Sequence, residues 1–504
     1  MRHPRSRTTP AAAGSKQGWS KMTQSTLVEA RTGRNASIVA LLMLSGIALD
    51  IQYGILAPLV GAIATESALS GSEIGWVLNA LMVGSVISVG LTTRMGDIYG
   101  HRKVLMALIV LAMVGCALGA IGHGFWPLVV GRFLMGLAVA IPLSWGLLRP
   151  RATARQIRLV SLGLSTVMAI FTPLALIAGG IIVELGLPWE SVFWVSFALF
   201  AAMLILAYVS SETPAAARAV VRLDWFGALG LGLWVTAMLI GISELPSRGW
   251  SSPIVLSSFF VSAVTLTAWI SQQRRTKEPL VSFRNMDLRQ TLIGYSGILL
   301  ISLVGQGLFI VQPALLQTPT SSGFGHGLSA LESTYVLLAL IPGATLGYLW
   351  TRWGLKHLGP KIVLVVSGTA SIFVFLGFAF ANDQGWMPWV WTFLYALTTL
   401  SCLTTGYTLV AAAGRQDNMG VTIGMQNIVQ FVGAMIAVAV VLNVLAPGAD
   451  GHIPEATFIG IYVASAVIVA LFVIVWAVLA PKHITDRHAI DTESDPTKVH
   501  VAAH

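Results

Sequence analysis

Arg94-Met-Gly-Asp-Ile-Tyr-Gly-His-Arg-Lys103 is a short, charged, glycine-bearing stretch between two long apolar runs. Within it Asp97, Gly100, Arg102 and Lys103 form the pattern Asp-x-x-Gly-x-Arg-Lys. Glycine permits a tight bend, and Lys and Arg hold a membrane-flanking loop on the cytoplasmic side. A fainter copy stands far down the chain as Arg352-Trp-Gly-Leu-Lys-His-Leu-Gly-Pro-Lys361. Arg, Gly and Lys recur there at the spacing of Arg94, Gly96 and Lys103, but the Asp does not. Each copy separates the second and third apolar runs of its part of the chain. The sequence therefore reads as two related halves, an internal repeat common among polytopic membrane proteins.

Composition agrees. Of 504 residues, 55% are hydrophobic and 10% charged, against about 25% charged in a soluble chain. The formal charge of +9 does not signal nucleic acid, because the basic residues lie in short connections and tails between apolar runs. It is a topology signal instead. The two cysteines, Cys116 and Cys402, fall inside apolar runs and imply no disulfide framework. The histidines lack zinc spacing, no phosphate-binding loop is present, and no cofactor or metal is expected.

Apolar runs of spanning length, about 20 residues each, recur near 37–64, 73–94, 103–122, 126–148, 159–184, 189–210, 224–244, 253–272, 290–316, 333–351, 362–382, 387–410, 419–446 and 457–480. This predicts an all-α polytopic bundle of about 14 transmembrane helices. All but two of the 30 Lys and Arg residues, Arg132 and Arg248, fall in the tails or in alternate connections. That alternation places both termini in the cytoplasm. The expected organisation is a disordered basic tail over 1–35, a six-helix half over 36–210, and two extra helices with linkers over 211–285. A second six-helix half over 286–480 and a cytoplasmic tail over 481–504 complete it.

The pattern resembles the major facilitator superfamily, and within it the fourteen-helix drug:proton antiporter branch. The 94–103 loop is similar to that family's first cytoplasmic signature. Gly131-Arg-Phe-Leu-Met-Gly136 is similar to its fourth-helix signature, and Leu49-Asp-Ile-Gln-Tyr-Gly-Ile-Leu-Ala-Pro58 to its first-helix signature. Asp224-Trp-Phe-Gly227 and Glu278-Pro-Leu280 resemble the flanks of the extra helix pair. The likeness runs from about residue 37 to residue 480. Departures are Thr93, Ile98 and Met135, and a fifth-helix antiporter signature reduced to Gly179-Gly180, with Ala175-Leu176 in place of its Gly-Pro and the helix's proline at Pro173. Pro173, Gly179 and Gly180 form the expected hinge of that helix.

Asp50 is the deepest acid, roughly 18 Å from the inner end of its helix at 1.5 Å per residue. Intramembrane carboxylates face a cavity or a partner, and a low dielectric favours the protonated form, so Asp50 is the expected proton-coupling residue. Arg132 lies at similar depth, roughly 24 Å from the inner end of its own helix. The resemblance implies that these helices adjoin, which would let the two side chains meet. It also implies that Asp97, with Gly100, Arg102 and Lys103, latches the cytoplasmic side through basic residues or a helix N-terminus; Arg102 or one of Arg149 to Arg158 is the expected partner.

The second half holds neutral polar groups: Gln306, Gln312, Tyr395, Tyr407, Gln426, Asn427 and Gln430. With Tyr53, Asn79 and Trp145 these, apart from Asn427, are the expected substrate cavity, Asp50 and Tyr53 sharing a helical face from which Gln52 points away. Amides, aromatics and one carboxylate suit an amphipathic or cationic organic compound. The resulting expectation is an exporter of such a compound driven by inward proton flow across the plasma membrane, with protons, lipid and the small molecule as partners. A proton-coupled importer or uncoupled facilitator is the nearest alternative, and a membrane enzyme lacks any nucleophile, base or metal cluster to support it.

Overall fold

The computed structural model describes residues 36–138, 140–148, 151–152, 154–212, 223–276, 288–382, 384–413, 419–445 and 453–484. The expected tail over 1–35, most of the tail after 480, and Glu278-Pro-Leu280 lie outside them. Within them the chain is helical and contains no strand. The elements are α1 (Ala36–Glu66), α2 (Gly71–Tyr99), α3 (His101–Ile121), α4 (Phe125–Leu148), α5 (Ala154–Glu184), α6 (Ser191–Val209), α7 (Trp225–Arg248) and α8 (Pro253–Arg275). They continue as α9 (Leu288–Gln317), α10 (Ala330–His357), α11 (Pro360–Phe380), α12 (Met387–Ala413), α13 (Met419–Val444) and α14 (Glu455–Leu479). Among the described residues 13 helices are long and apolar enough to cross a membrane. In the remaining one, α5, the apolar stretch is the shorter Ile170–Glu184. Helices dominate because a backbone without water must satisfy its own hydrogen bonds.

The same packing occurs twice. α2 lies on α4, α3 on α4, and α3 on α6; eight helices later α10 lies on α12, α11 on α12, and α11 on α14. Local chemistry repeats with it. α2 and α10 each begin with a capping box, Ser70 with Glu73 and Ser329 with Glu332, in which each N-cap hydroxyl and acid satisfy otherwise orphaned amides. A Cβ at Gly84 would strike the Phe133 carbonyl, and one at Gly343 the Phe393 carbonyl. The turn after α2 is Gly100 at φ +99, and the turn after α10 is Gly359 at φ +83. The pairs Ser70/Ser329, Glu73/Glu332, Gly84/Gly343 and Gly100/Gly359 share one interval, a residue longer than that of the Arg94/Arg352 echo. The charged echo therefore marks the right loop but is one residue out of structural register.

α7 and α8 form a hairpin outside this repeat. Asp224 caps α7 by accepting from the Gly227 amide at 2.8 Å and takes bonds from Gln272 and Gln273 of α8 at 2.8 and 2.7 Å. Trp269 donates to the Gly227 carbonyl at 2.7 Å, which gives the Asp224-Trp-Phe-Gly227 stretch a physical role. α7 touches both α2 and α13, so the hairpin lies against the junction of the two halves.

That junction has two seams, α2 with α13 and α5 with the start of α10. Asn79 donates to the Met435 carbonyl at 3.3 Å, Gly71 and Gly75 lie against Leu442, and Gly180 lies against Leu331 and Thr334. These contacts favour the ends of the helices that carry Glu66, Glu184 and Glu455, opposite the Arg94–Lys103 loop. Within the first half, α2 and α4 come close enough that a Cβ at Gly136 would overlap the Leu81 carbonyl. Overpacking such a contact costs about 1–3 kcal/mol. Gly136→Val is therefore expected to lower the melting temperature of the detergent-solubilised protein by several degrees; unchanged melting would contradict this crossing.

Candidate functional site

α1 is not continuous. Its regular ladder stops at Gly54, turns at 55–56, and resumes through a 3-10 segment, Ala57–Leu59, with Pro58 in its first turn. Gly54 and Pro58 favour this interruption, the first by flexibility and the second by lacking an amide donor. Gly179 of α5 fits into the interruption, where a Cβ would strike the Ile55 carbonyl. The two glycines of the expected α5 hinge thus serve as close-approach points, Gly179 toward α1 and Gly180 toward α10, while Pro173 sits buried within α5.

Asp50 lies just before the interruption and is half-buried. Its Oδ2 is shielded from solvent and has no hydrogen-bond partner. The polar side chain it meets is Thr172 of α5, whose hydroxyl donates to the Met168 carbonyl at 2.8 Å. Thr172 is a hydrogen-bond partner for one carboxyl oxygen of Asp50 and leaves Oδ2 unmet. An unpaired buried carboxylate is costly, and taking up a proton relieves the cost.

Arg132 on α4 is 2% exposed. Its Nε has no hydrogen-bond partner, and its charge faces Tyr53 of α1 and Cys116 of α3. No ion pair joins Arg132 to Asp50. The expected meeting of the two is corrected here: Asp50 meets Thr172 of α5, whereas the neighbours of Arg132 are Tyr53 and Cys116. Helical rise gives the depth of a side chain but not which neighbour it faces.

The expected cavity residues divide into two groups. Tyr53 donates to Ser85 at 3.0 Å and stacks on Phe431 of α13, rings 5.6 Å apart and 15° from parallel. Tyr407 donates to Gln430 at 2.8 Å, and Trp145, Gln306, Gln426 and Asn427 are half-buried. By contrast Asn79 and Gln312 are 1% exposed and tie helices together, Gln312 through Thr392 at 2.6 Å. Tyr395 is also 1% exposed, inside the second half against Phe375. Sequence reading missed Phe431 and Thr172, which look there like any apolar or hydroxyl residue of a helix. Gln52, expected to point away from Tyr53, instead lines the same small cavity as Tyr53.

In the Arg94–Lys103 loop, Gly100 at φ +99 makes the turn, and a Cβ there would also collide with the Glu212 carboxylate. Glu212 follows α6 and accepts from the amides of Arg102 and Lys103 at 3.1 and 3.2 Å. It places an anion on the N-terminus of α3, where the helix dipole favours one. Arg102 reciprocates: its Nε donates to the Ala207 carbonyl at 2.9 Å, a second nitrogen donates to the Tyr208 carbonyl, and the guanidinium lies 5.5 Å from the Tyr208 ring. Arg151 donates to the Leu147 carbonyl at 2.6 Å and to the Glu212 carbonyl.

The partner seen for Asp97 is His101, at 3.4 Å, rather than Arg102, which is committed to α6. The His101 ring sits between Gly96 and Gly146, where any Cβ would overlap it. Arg149 and the side chains of Arg155 and Arg158 lie outside the described residues. Glu212 and His101 were not singled out in the sequence; only the spacing of His101 four residues after Asp97 offered a signal. Among the described residues no cluster of His, Cys, Asp and Glu could hold a metal.

A profile of the Major Facilitator Superfamily matches residues 42–438. The uridine/deoxyuridine transporter of Lactococcus lactis subsp. cremoris (strain MG1363) is 23% identical over 431 residues, 80% of this chain and 86% of that protein. The tetracenomycin C resistance and export protein of Streptomyces glaucescens is 26% identical over 403 residues, 78% of this chain and 72% of that protein. The crystal structure of the nucleoside transporter NupG matches with a TM-score of 0.61 at 13% identity, over 88% of this chain and 98% of that one, a likeness of fold.

The Glu212 cap is testable by itself. Losing an N-terminal helix cap costs about 0.5–2 kcal/mol. Glu212→Ala should lower the melting temperature, and Glu212→Gln, which keeps one acceptor oxygen, should lower it less. Equal melting of wild type and both variants would remove Glu212 from the loop's support.

Proposed function

The chain belongs to the major facilitator superfamily, and on that premise we propose that it is a proton-coupled exporter of amphipathic or cationic organic molecules. It is a multi-pass membrane transporter, not an enzyme. Export is the finer reading, supported by the similarity to a resistance and export protein over 72% of that relative's length. Membership of the fourteen-helix drug:proton antiporter branch belongs to the same proposal. The observation that carries it is Asp50, an intramembrane acid with a buried carboxyl oxygen that has no hydrogen-bond partner.

In this reading Asp50 takes a proton from one side of the membrane and releases the same proton to the other as the halves exchange exposure. The half-buried amides and phenols of α9, α12 and α13, with Tyr53, offer hydrogen bonds and aromatic faces but no cation. They suit a ligand that is neutral or positive. The loop of Asp97, Gly100, Arg102 and Lys103, locked onto α6 through Glu212, is the gate support on its face. The basic connections orient that face, with both termini, to the cytoplasm of the plasma membrane. A second reading, import of a nucleoside-like solute, is favoured by the similarity to a uridine/deoxyuridine transporter over 86% of that protein's length.

The test is transport in proteoliposomes under an imposed proton gradient of either sign, with orientation scored by labelling a cysteine at the exposed Glu66 position. A lipophilic cation such as tetraphenylphosphonium should move against the proton flow. Asp50→Asn, a mimic of the protonated acid, should abolish gradient-driven movement yet retain downhill exchange. Gradient-driven transport by Asp50→Asn at the wild-type rate would overturn the assignment. Uridine movement with the proton flow, and none of the cation, would establish the second reading.

A further inference from the structure

Gln52 presents an unmet chemical need that the transport cycle does not use. Its side chain is 4% exposed, and both the amide nitrogen and the amide oxygen are shielded and without hydrogen-bond partners. A buried amide in that state is strongly disfavoured. It lines a cavity of about 20 Å³ between α1, α2, α4 and α6, whose other polar walls are Ser45, Tyr53 and Ser85. We propose that this cavity is a hydration site in which Gln52 binds one water molecule inside the first half.

Size and donor balance select the ligand. One water needs roughly 10–15 Å³ of such volume and two to four polar partners, so the cavity holds one water and excludes any organic substrate. Ser45 donates to the Leu41 carbonyl at 2.7 Å. Ser85 lies 2.9 Å from the Leu81 carbonyl and 3.2 Å from the Gly136 carbonyl and accepts from Tyr53. Their protons are engaged, which leaves lone pairs toward the cavity. Gln52 offers one donor group and one acceptor. A halide accepts only and would leave the Gln52 oxygen unmet. A metal cation donates nothing to lone pairs except by coordination, and no carboxylate lines the cavity, since Asp50 faces α5. Water both donates and accepts, so one molecule can meet the nitrogen and the oxygen of the Gln52 amide and has one proton left for a hydroxyl oxygen of the wall.

The site adjoins Arg132 without containing it. Tyr53 lines the cavity and faces the guanidinium, and Met135 and Gly136, about one turn beyond Arg132, complete the wall. The bound water therefore links α1 to α2 and keeps polar surroundings beside a buried cation. This inference does not depend on the proposed export or on Asp50.

Radiolytic hydroxyl-radical footprinting on the full-length protein tests it, because X-rays generate radicals from bound water in place. Met135 and Met203 line the cavity and are 3% and 0% exposed, out of reach of bulk radicals. Met435, 0% exposed and outside the cavity, is the control. Met135 and Met203 should oxidise in the wild type while Met435 does not. In Gln52→Leu their oxidation should fall to the Met435 level, because the water loses its main partners. The wild-type comparison stands even if Gln52→Leu fails to fold, and Gln52→Met serves as a second variant. Oxidation of Met135 and Met203 no higher than that of Met435 in the wild type would show a dry cavity and overturn the proposal. So would unchanged oxidation in a folded Gln52→Leu protein.

Discussion

α2 lies along α13, and that seam governs how the two halves relate. Ile428, Phe431, Met435, Val438 and Leu442 of α13 belong to the apolar core of the first half, while Leu176 of α5 belongs to that of the second. Lipid is as apolar as leucine, so burial alone does not hold such helices together; close packing and a few polar bonds do. Gly71 and Gly75 admit Leu442, Asn79 bonds the Met435 carbonyl, and Gly180 admits α10. These contacts lie toward one end of the bundle. The stacked rings of Tyr53 and Phe431 lie inward of them, three residues along α1 from Asp50.

The unmet polar groups follow from this arrangement. Asp50, Gln52 and Arg132 all belong to the first half and all have buried atoms without partners. They are spread around α1: Asp50 toward α5, Gln52 into the small cavity, and Arg132 across from Tyr53. Among the described residues of the second half the buried polar groups are neutral; Gln312 bonds Thr392 and Tyr407 bonds Gln430, while Gln312 Oε1 and the Tyr395 and Tyr462 hydroxyls lack partners. The second half supplies surface and the first supplies charge. The same asymmetry appears at the two turns. Gly100 meets a carboxylate from the end of α6, whereas among the described residues Gly359 meets the Lys482 backbone carbonyl beyond α14.

The helices and their order were legible in the sequence because a spanning helix needs a long apolar run and leaves little else to infer. The repeat was legible through the basic loops, though one residue out of register, because charges may shift along a loop while the turn glycine and the capping box may not. Depth along a helix was legible for Asp50 and Arg132; direction was not, since it depends on which helices adjoin. Phe431 carries no mark that separates it from other apolar residues of α13. Glu212 sits in an aperiodic stretch, and its importance comes from Gly100 allowing a carboxylate against the start of α3. Gln52 diverges from Asp50 as its helical angle requires, but that angle does not show that the small cavity beside Gln52 also touches Tyr53.

The proposed export by alternating access requires the α2–α13 seam to open and close. In a background with Cys116 and Cys402 replaced, Gly75→Cys and Leu442→Cys place thiols across it, where a Cβ at position 75 lies 3.8 Å from the Leu442 side chain. Gly46→Cys with Leu164→Cys is the control within one half, where the corresponding distance is 2.7 Å. Transport of a lipophilic cation in proteoliposomes should stop when the seam pair is cross-linked and return on reduction, while the control pair leaves it running. Full transport with the seam covalently closed would contradict the account.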